Sequence, residues 1–210
     1  MEIIIKGLNK WYGKQQVLCD VNTSFSSGRI HGLIGRNGSG KTVLFRCIAG
    51  YTKPESGVVV IGGQQIGKDI SYPKSLGLIL EAPGFLPQFS GAFNLELLLS
   101  IRQKPDKKLI HQVLKTVGLE EAGRKAVGKY SMGMRQRLGI AQAIMEDPDL
   151  LILDEPFNGL DQQGVQDVHH LLRELRSKGK TILLTSHYAQ DIEALCDTIS
   201  RMETGRLSII

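Results

Sequence analysis

One eight-residue stretch, Gly35-Arg-Asn-Gly-Ser-Gly-Lys-Thr42, constrains the fold more than anything else in the chain. It satisfies the phosphate-loop pattern G-x-x-x-x-G-K-[ST] at every fixed position. Gly35, Gly38 and Gly40 let the backbone curl so that successive N–H groups point at one anion. Arg36, Asn37 and Ser39 fill the loop between them. Lys41 adds a fixed positive charge for outer phosphates, and Thr42 offers a hydroxyl to Mg²⁺. The flanks agree with this reading. Arg29-Ile-His-Gly-Leu-Ile34 reads as a short buried strand and Val43-Leu-Phe-Arg-Cys-Ile-Ala49 as a helix, whose N-terminal dipole favours negative charge. A strand, an anion-binding turn and a helix in that order call for an α/β core and fix the ligand class as a phosphate-bearing nucleotide.

The rest of the chain has to supply that core. At 210 residues it is long enough for one large domain or two small ones, and needs no disulfide or metal to fold. Cys19, Cys47 and Cys196 are odd in number and far apart, with no metal-ligand spacing, which is a reduced, cytosolic profile. Cys47 and Cys196 sit in apolar, helix-like patterns and read as small core residues. No stretch approaches the ~18 uninterrupted apolar residues of a membrane span, and the N-terminal Met1-Glu-Ile-Ile-Ile-Lys6 is too short for a signal peptide. The net charge of +5 suits a phosphate ligand or an anionic surface. Its basic residues are scattered, without the aromatic-plus-basic platform of a nucleic-acid binder.

Along the chain, Ile3–Ile5, Val17–Phe25 and Gly57–Gly62 read as strands, and Leu76–Leu80 as a buried strand that Pro83, Gly84 and Pro87 then break. Helical spacing runs from Ala92 to about Arg102, from Asp106 to Val117, and from Ser131 to Ile144. Leu150–Leu153 and Thr181–Thr185 read as buried strands, 162–177 and Tyr188–Cys196 as helices, and a strand–turn–strand surrounds Gly205. The alternation implies a mostly parallel sheet flanked by helices. The early strands and the helical block at 83–130 look like two insertions upon it: an N-terminal antiparallel β-subdomain and an α-helical subdomain on a P-loop NTPase core.

Two further features narrow the chemistry. Leu150-Leu-Ile-Leu-Asp-Glu155 is a buried strand that delivers Asp154 at its carboxyl end, beside the cation expected at Thr42. Glu155 extends past the strand, where a carboxylate can orient or deprotonate water. Tyr130-Ser-Met-Gly-Met-Arg-Gln-Arg-Leu138 is a helix start in which Ser131 can cap and Gly133 permits close backbone approach. With the phosphate loop, these segments resemble the ATP-binding subunit of an ABC transporter, in the family's order and over nearly the whole chain.

The resemblance implies roles that spacing alone does not. Tyr12 matches the aromatic that stacks on adenine, with Trp11 as a neighbour able to substitute. Ser131, Gly133 and Met134 match the signature motif, Asp161 the D-loop, and His187 the switch histidine at the γ-phosphate. It further implies ATP and Mg²⁺ as ligands and a homodimer, or a pair with a related subunit, closing around two ATP molecules. A separate transmembrane permease follows, with the chain cytoplasmic and peripheral on the inner face of the membrane. Glu155 and His187 would then be catalytic, and Thr42, Asp154 and Glu81 would face the metal.

Three departures stand out. The signature reads Tyr-Ser-Met-Gly-Met, so Met132 replaces a glycine and Met134 an amide. Val43 stands in the place of a threonine, where its backbone N–H can still serve an α-phosphate. Glu81, in Leu78-Ile-Leu-Glu-Ala-Pro83, occupies the family's usual glutamine position; Gln88 lies beyond Pro87 in the loop and does not replace it. The pairing of this segment with the altered signature resembles the bacitracin and lantibiotic type of peptide exporter. Three competing readings remain at this point: a soluble ATPase of the same superfamily, a phosphotransferase, and a binder that hydrolyses poorly because of Glu81.

Overall fold

The computed structural model describes residues 1–81 and 84–210. Among the described residues the fold has two sheets and six α-helices. The larger sheet has six strands in the order β10-β9-β3-β8-β7-β6: Arg206–Ile209, Thr198–Glu203, Ile30–Ile34, Thr181–Thr185, Leu150–Leu153 and Leu76–Ile79. All neighbouring pairs are parallel except β10 against β9. The smaller sheet is antiparallel, in the order β2-β1-β4-β5, from Gln15–Phe25, Ile3–Tyr12, Ser56–Ile61 and Gln64–Gln65. This is the α/β core with an antiparallel β-subdomain expected from the sequence.

The unbroken apolar run of β7 is explained by what covers it. Leu150 and Ile152 face one core with Leu44, Phe45 and Ile48 of α1 (Lys41–Ile48) and with Ile3, Ile5 and Leu8 of β1. Leu151 and Leu153 face the other, with Leu138 and Ile140 of α4 (Met132–Ile144) and Leu172 of α5 (Gln162–Ser177). A strand covered on both faces needs apolar residues at odd and even positions alike. Helix α1 is thereby wedged between the two sheets, with the phosphate loop at its N-terminus.

The helical segment comprises α2 (Gly91–Leu99), α3 (Lys107–Thr116) and two short 3₁₀ turns, Glu121–Arg124 and Val127–Lys129. Ser90 and Asp106 cap the two helices through their side chains. Several boundaries differ from expectation. Helix α2 ends at Leu99 instead of Arg102, because Ile101 continues the apolar period while lying exposed in the following turn. Strand β1 runs to Tyr12 instead of stopping at Ile5, its polar outer half paired to β2 through register shifts that the alternation did not signal. Strand β5 and the 3₁₀ turns are too short to leave a periodic pattern. The proposed start of the insertion at Pro83 lies outside the described residues. Helix α6 spans Ala189–Leu195. Among the described residues, no helix is long and apolar enough to cross a membrane.

Candidate functional site

The carboxyl ends of β3, β7 and β8 meet at the phosphate loop, the place where open α/β sheets present their ligands. Gly35 has φ +153°, and a Cβ there would come within 2.3 Å of the Met202 carbonyl, so a side chain is excluded where the loop leaves β3. Lys41 is buried and donates to the carbonyls of Gly35 at 2.6 Å and Arg36 at 3.2 Å. The loop is also held from outside, since the Gly205 amide in the β9–β10 turn donates to the Ser39 carbonyl at 3.1 Å.

Two clefts flank this loop. One, of about 270 Å³, is lined by Asn37, Gly38, Gly40, Lys41, Thr42, Val43, Asp154, Glu155 and His187. The other, of about 800 Å³, runs from Ile34–Ser39 across Ser186, His187 and Ala189 to Arg201–Thr204. Buried Ser39 Oγ takes part in no hydrogen bond, so the cradle contains an unsatisfied polar atom that a ligand oxygen suits.

In the smaller cleft, Thr42 Oγ1 donates to Asp154 Oδ2 at 2.5 Å, and Thr185 Oγ1 donates to Asp154 Oδ1 at 2.7 Å. The same Thr185 hydroxyl accepts from the Glu155 amide at 2.8 Å. One hydroxyl therefore fixes both acidic residues. An oxygen-only donor pair at Thr42 and Asp154 fits a hard cation such as Mg²⁺, which keeps water and phosphate oxygens as its other ligands. Among the described residues no group of three or more His, Cys, Asp or Glu side chains gathers as a metal site.

Glu155 sits just past the strand with φ +53°, the left-handed region, which turns its carboxylate back toward the loop. Its Oε2 accepts from the His187 amide at 3.1 Å. Its Oε1 is buried with no hydrogen bond, although His187 Nε2 stands 3.3 Å away. Burial holds the Glu155 carboxyl above the usual glutamate range, and the neighbouring imidazole partly opposes that shift. A carboxylate that is desolvated, basic and free on one oxygen can accept a proton from water.

Not every expected site residue joins this group. Tyr12 lies at the β1–β2 turn, exposed, with Lys10 Nζ 5.3 Å from its ring centroid, and lines neither cleft. Glu81, also at positive φ (+66°), pairs with Arg46 in the last turn of α1. It lines a separate groove with Tyr51, Leu98 and Gln142. Ser131 caps α4, its Oγ accepting from the Met134 amide at 3.2 Å. Gly133 packs so closely that a Cβ would stand 2.7 Å from the Gly159 carbonyl. Asp161 caps α5 by accepting from the Gly164 amide at 2.8 Å. Ser131, Gly133, Met134 and Asp161 line neither cleft of their own chain. Sequence reasoning missed Thr185 and Gln136, whose Nε2 donates to the Glu155 carbonyl at 3.2 Å. The one available signal for Thr185 is its place as a polar stop to an apolar strand.

Residues 18–158 match the family model described as ABC transporter. The chain is 45% identical over 205 residues to the ABC transporter ATP-binding protein YybJ of Bacillus subtilis (strain 168), covering 98% of this chain and 94% of that one. It is 40% identical over 212 residues to the bacitracin transport ATP-binding protein BcrA of Enterococcus faecalis, covering 99% of this chain but 68% of the longer relative. Among solved structures, a dimeric ATP-binding cassette in a post-hydrolysis state, bound to ADP and Pi, superposes with a TM-score of 0.89 at 22% identity, over 98% of this chain and 96% of that one. At that identity the likeness is one of fold.

Proposed function

Because the chain belongs to the ABC transporter family as an ATP-binding subunit, we propose that it hydrolyses ATP to drive export of a peptide antibiotic or similar drug through a separate permease. The observation that carries the reading is the assembly around Thr185. Its hydroxyl joins Asp154 and Glu155 beside the phosphate loop, with His187 completing the cleft.

In this reading Lys41 and the amides of Gly38–Val43 bind the phosphates, while Tyr12 meets the base. Thr42 and Asp154 would hold Mg²⁺, which when bound neutralises charge on the phosphate oxygens. Glu155 Oε1 orients the attacking water and takes its proton. His187 sits where it can stabilise charge on the terminal phosphate and keeps Glu155 in place through its own amide. Ser131, Gly133, Met134 and Asp161 serve the site of a second copy, a role supported by their place at two exposed helix starts outside both clefts beside the phosphate loop. The permease meets the helical segment. Phe89, Phe93, Leu97 and Ile101 recur every four residues and lie exposed along α2 and its flanks, an apolar stripe suited to a protein partner. The chain is thereby one cassette, peripheral on the inner face of a membrane. The similarity to BcrA supports the bacitracin-type cargo class.

The test is direct. Purified protein with ATP and Mg²⁺, and no acceptor substrate, should release inorganic phosphate, and Glu155→Gln should elute as a dimer when ATP is present. Phosphate transfer to an added acceptor without release, or a variant that stays monomeric, would overturn the reading.

A further inference from the structure

The carboxylates of Asp154 and Glu81 close two adjacent parallel strands. The Asp154 amide donates to the Ile79 carbonyl at 2.7 Å, and Glu81 follows Ile79 by two residues. Two acids at neighbouring strand ends repel each other and compete for any cation between them. Only Asp154 is turned toward Thr42. Glu81 is turned toward α1 by its positive φ and pairs with the Arg46 guanidinium.

Arg46 is well placed to hold it. It stands in the last turn of α1, where the helix dipole favours a cation. Its own carbonyl is fixed by the amides of Tyr51 at 2.9 Å and Thr52 at 3.2 Å, so the backbone carrying the guanidinium is anchored. The N-terminus of the same helix carries Lys41 and Thr42. One rigid element of eight residues thus presents a cation site at one end and the counter-charge for Glu81 at the other.

We propose that Arg46 is a positioning residue that holds the Glu81 carboxylate away from the divalent cation, so that this carboxylate has two alternative partners, Arg46 and the metal between Thr42 and Asp154. The inference rests on the nucleotide-site reading above. It explains how a charged residue can occupy this strand end without crowding the phosphates. Because both side chains are partly exposed, the pair is weakened by salt.

The experiment measures binding, not turnover. Mn²⁺ affinity in the presence of a non-hydrolysable ATP analogue is followed by electron paramagnetic resonance in wild type, Arg46→Gln, Arg46→Lys, Glu81→Gln and the double variant Arg46→Gln/Glu81→Gln. Removing the guanidinium should tighten Mn²⁺ binding roughly two- to fivefold, the scale of a partly exposed ion pair. Arg46→Lys should stay near wild type. The double variant should match Glu81→Gln, because without the carboxylate Arg46 has nothing to withhold. Unchanged Mn²⁺ affinity in Arg46→Gln, or equal tightening with and without Glu81, would overturn the proposal. Asp154→Asn in the same assay separates the two levels. If it leaves Mn²⁺ binding intact, the cation-site reading fails. If it abolishes binding while Arg46→Gln changes nothing, only the role of Arg46 fails.

Discussion

The phosphate loop and the signature turn are built from similar parts and end up in opposite conditions. Each begins a helix, and each carries glycine and a hydroxyl at that start. Around the loop, Ser39 and Lys41 are buried and three chain segments converge: the loop itself, the end of β7 and the β9–β10 turn. At the signature, Ser131 and Met132 are exposed and the serine oxygen is engaged with its own helix. Its close neighbour is the turn at Gly159, whose own contact is the Met132 side chain. The first is complete within one chain. On the reading proposed here, the second is a surface that gains a function only when another copy brings a phosphate to it.

That contrast can be broken most severely at Glu155. Glu155→Gln should lower phosphate release by about 10²–10⁴-fold, the usual contribution of a general base, while equilibrium binding of ATP stays intact. A loss below tenfold would mean that Glu155 is not the base. Gly133→Ala sharpens the other side. Its methyl would stand 2.7 Å from the Gly159 carbonyl, so the signature start must shift. Light scattering should then show loss of the ATP-dependent dimer, with nucleotide affinity of the monomer unchanged. Thr185→Val removes one hydroxyl from Asp154 and leaves the Glu155 amide unpaired, at a cost of about 1–3 kcal/mol on denaturant unfolding, together with slower turnover. An unfolding midpoint equal to wild type would show that the bridge is dispensable.

The smallest effect is one of pH. The Glu155 carboxyl is held above the ordinary glutamate range, so turnover should fall with acid earlier than a free glutamate would allow. Stability moves the other way. The native state holds this proton more tightly than the unfolded chain, so the contribution is present at low pH and lost as pH rises through the raised value. Above it, Glu155→Gln should melt slightly higher than wild type. Paired melts across pH check the sign.

Much of this was legible because the informative residues are neighbours in sequence. Strand β3, the loop and α1 are adjacent, and Asp154 and Glu155 end a strand whose apolar run announces burial on both faces. What was not legible depends on contacts that sequence spacing does not encode. Arg46, in the last turn of α1, and Glu81, two residues past the end of β6, are far apart in sequence and meet only in the fold. Thr185 reaches Asp154 because β7 and β8 are neighbours in the sheet. A threonine at the end of an apolar strand has no spacing signature, and an arginine in a helix has many possible partners. Helix α2 is shorter than its apolar period for a similar reason, since Ile101 keeps the helical spacing while lying exposed beyond the helix end.

Lys41 has a consequence for how variants are interpreted. Its ammonium clasps the carbonyls of Gly35 and Arg36, so it helps to shape the loop as well as offering charge to a phosphate. The loop is preorganised, with the entropic cost of curling it met when the protein folds. Substituting alanine there removes a ligand contact and an internal clasp together. A binding defect measured in such a variant is a compound quantity, and only its melting behaviour without nucleotide can divide the two parts.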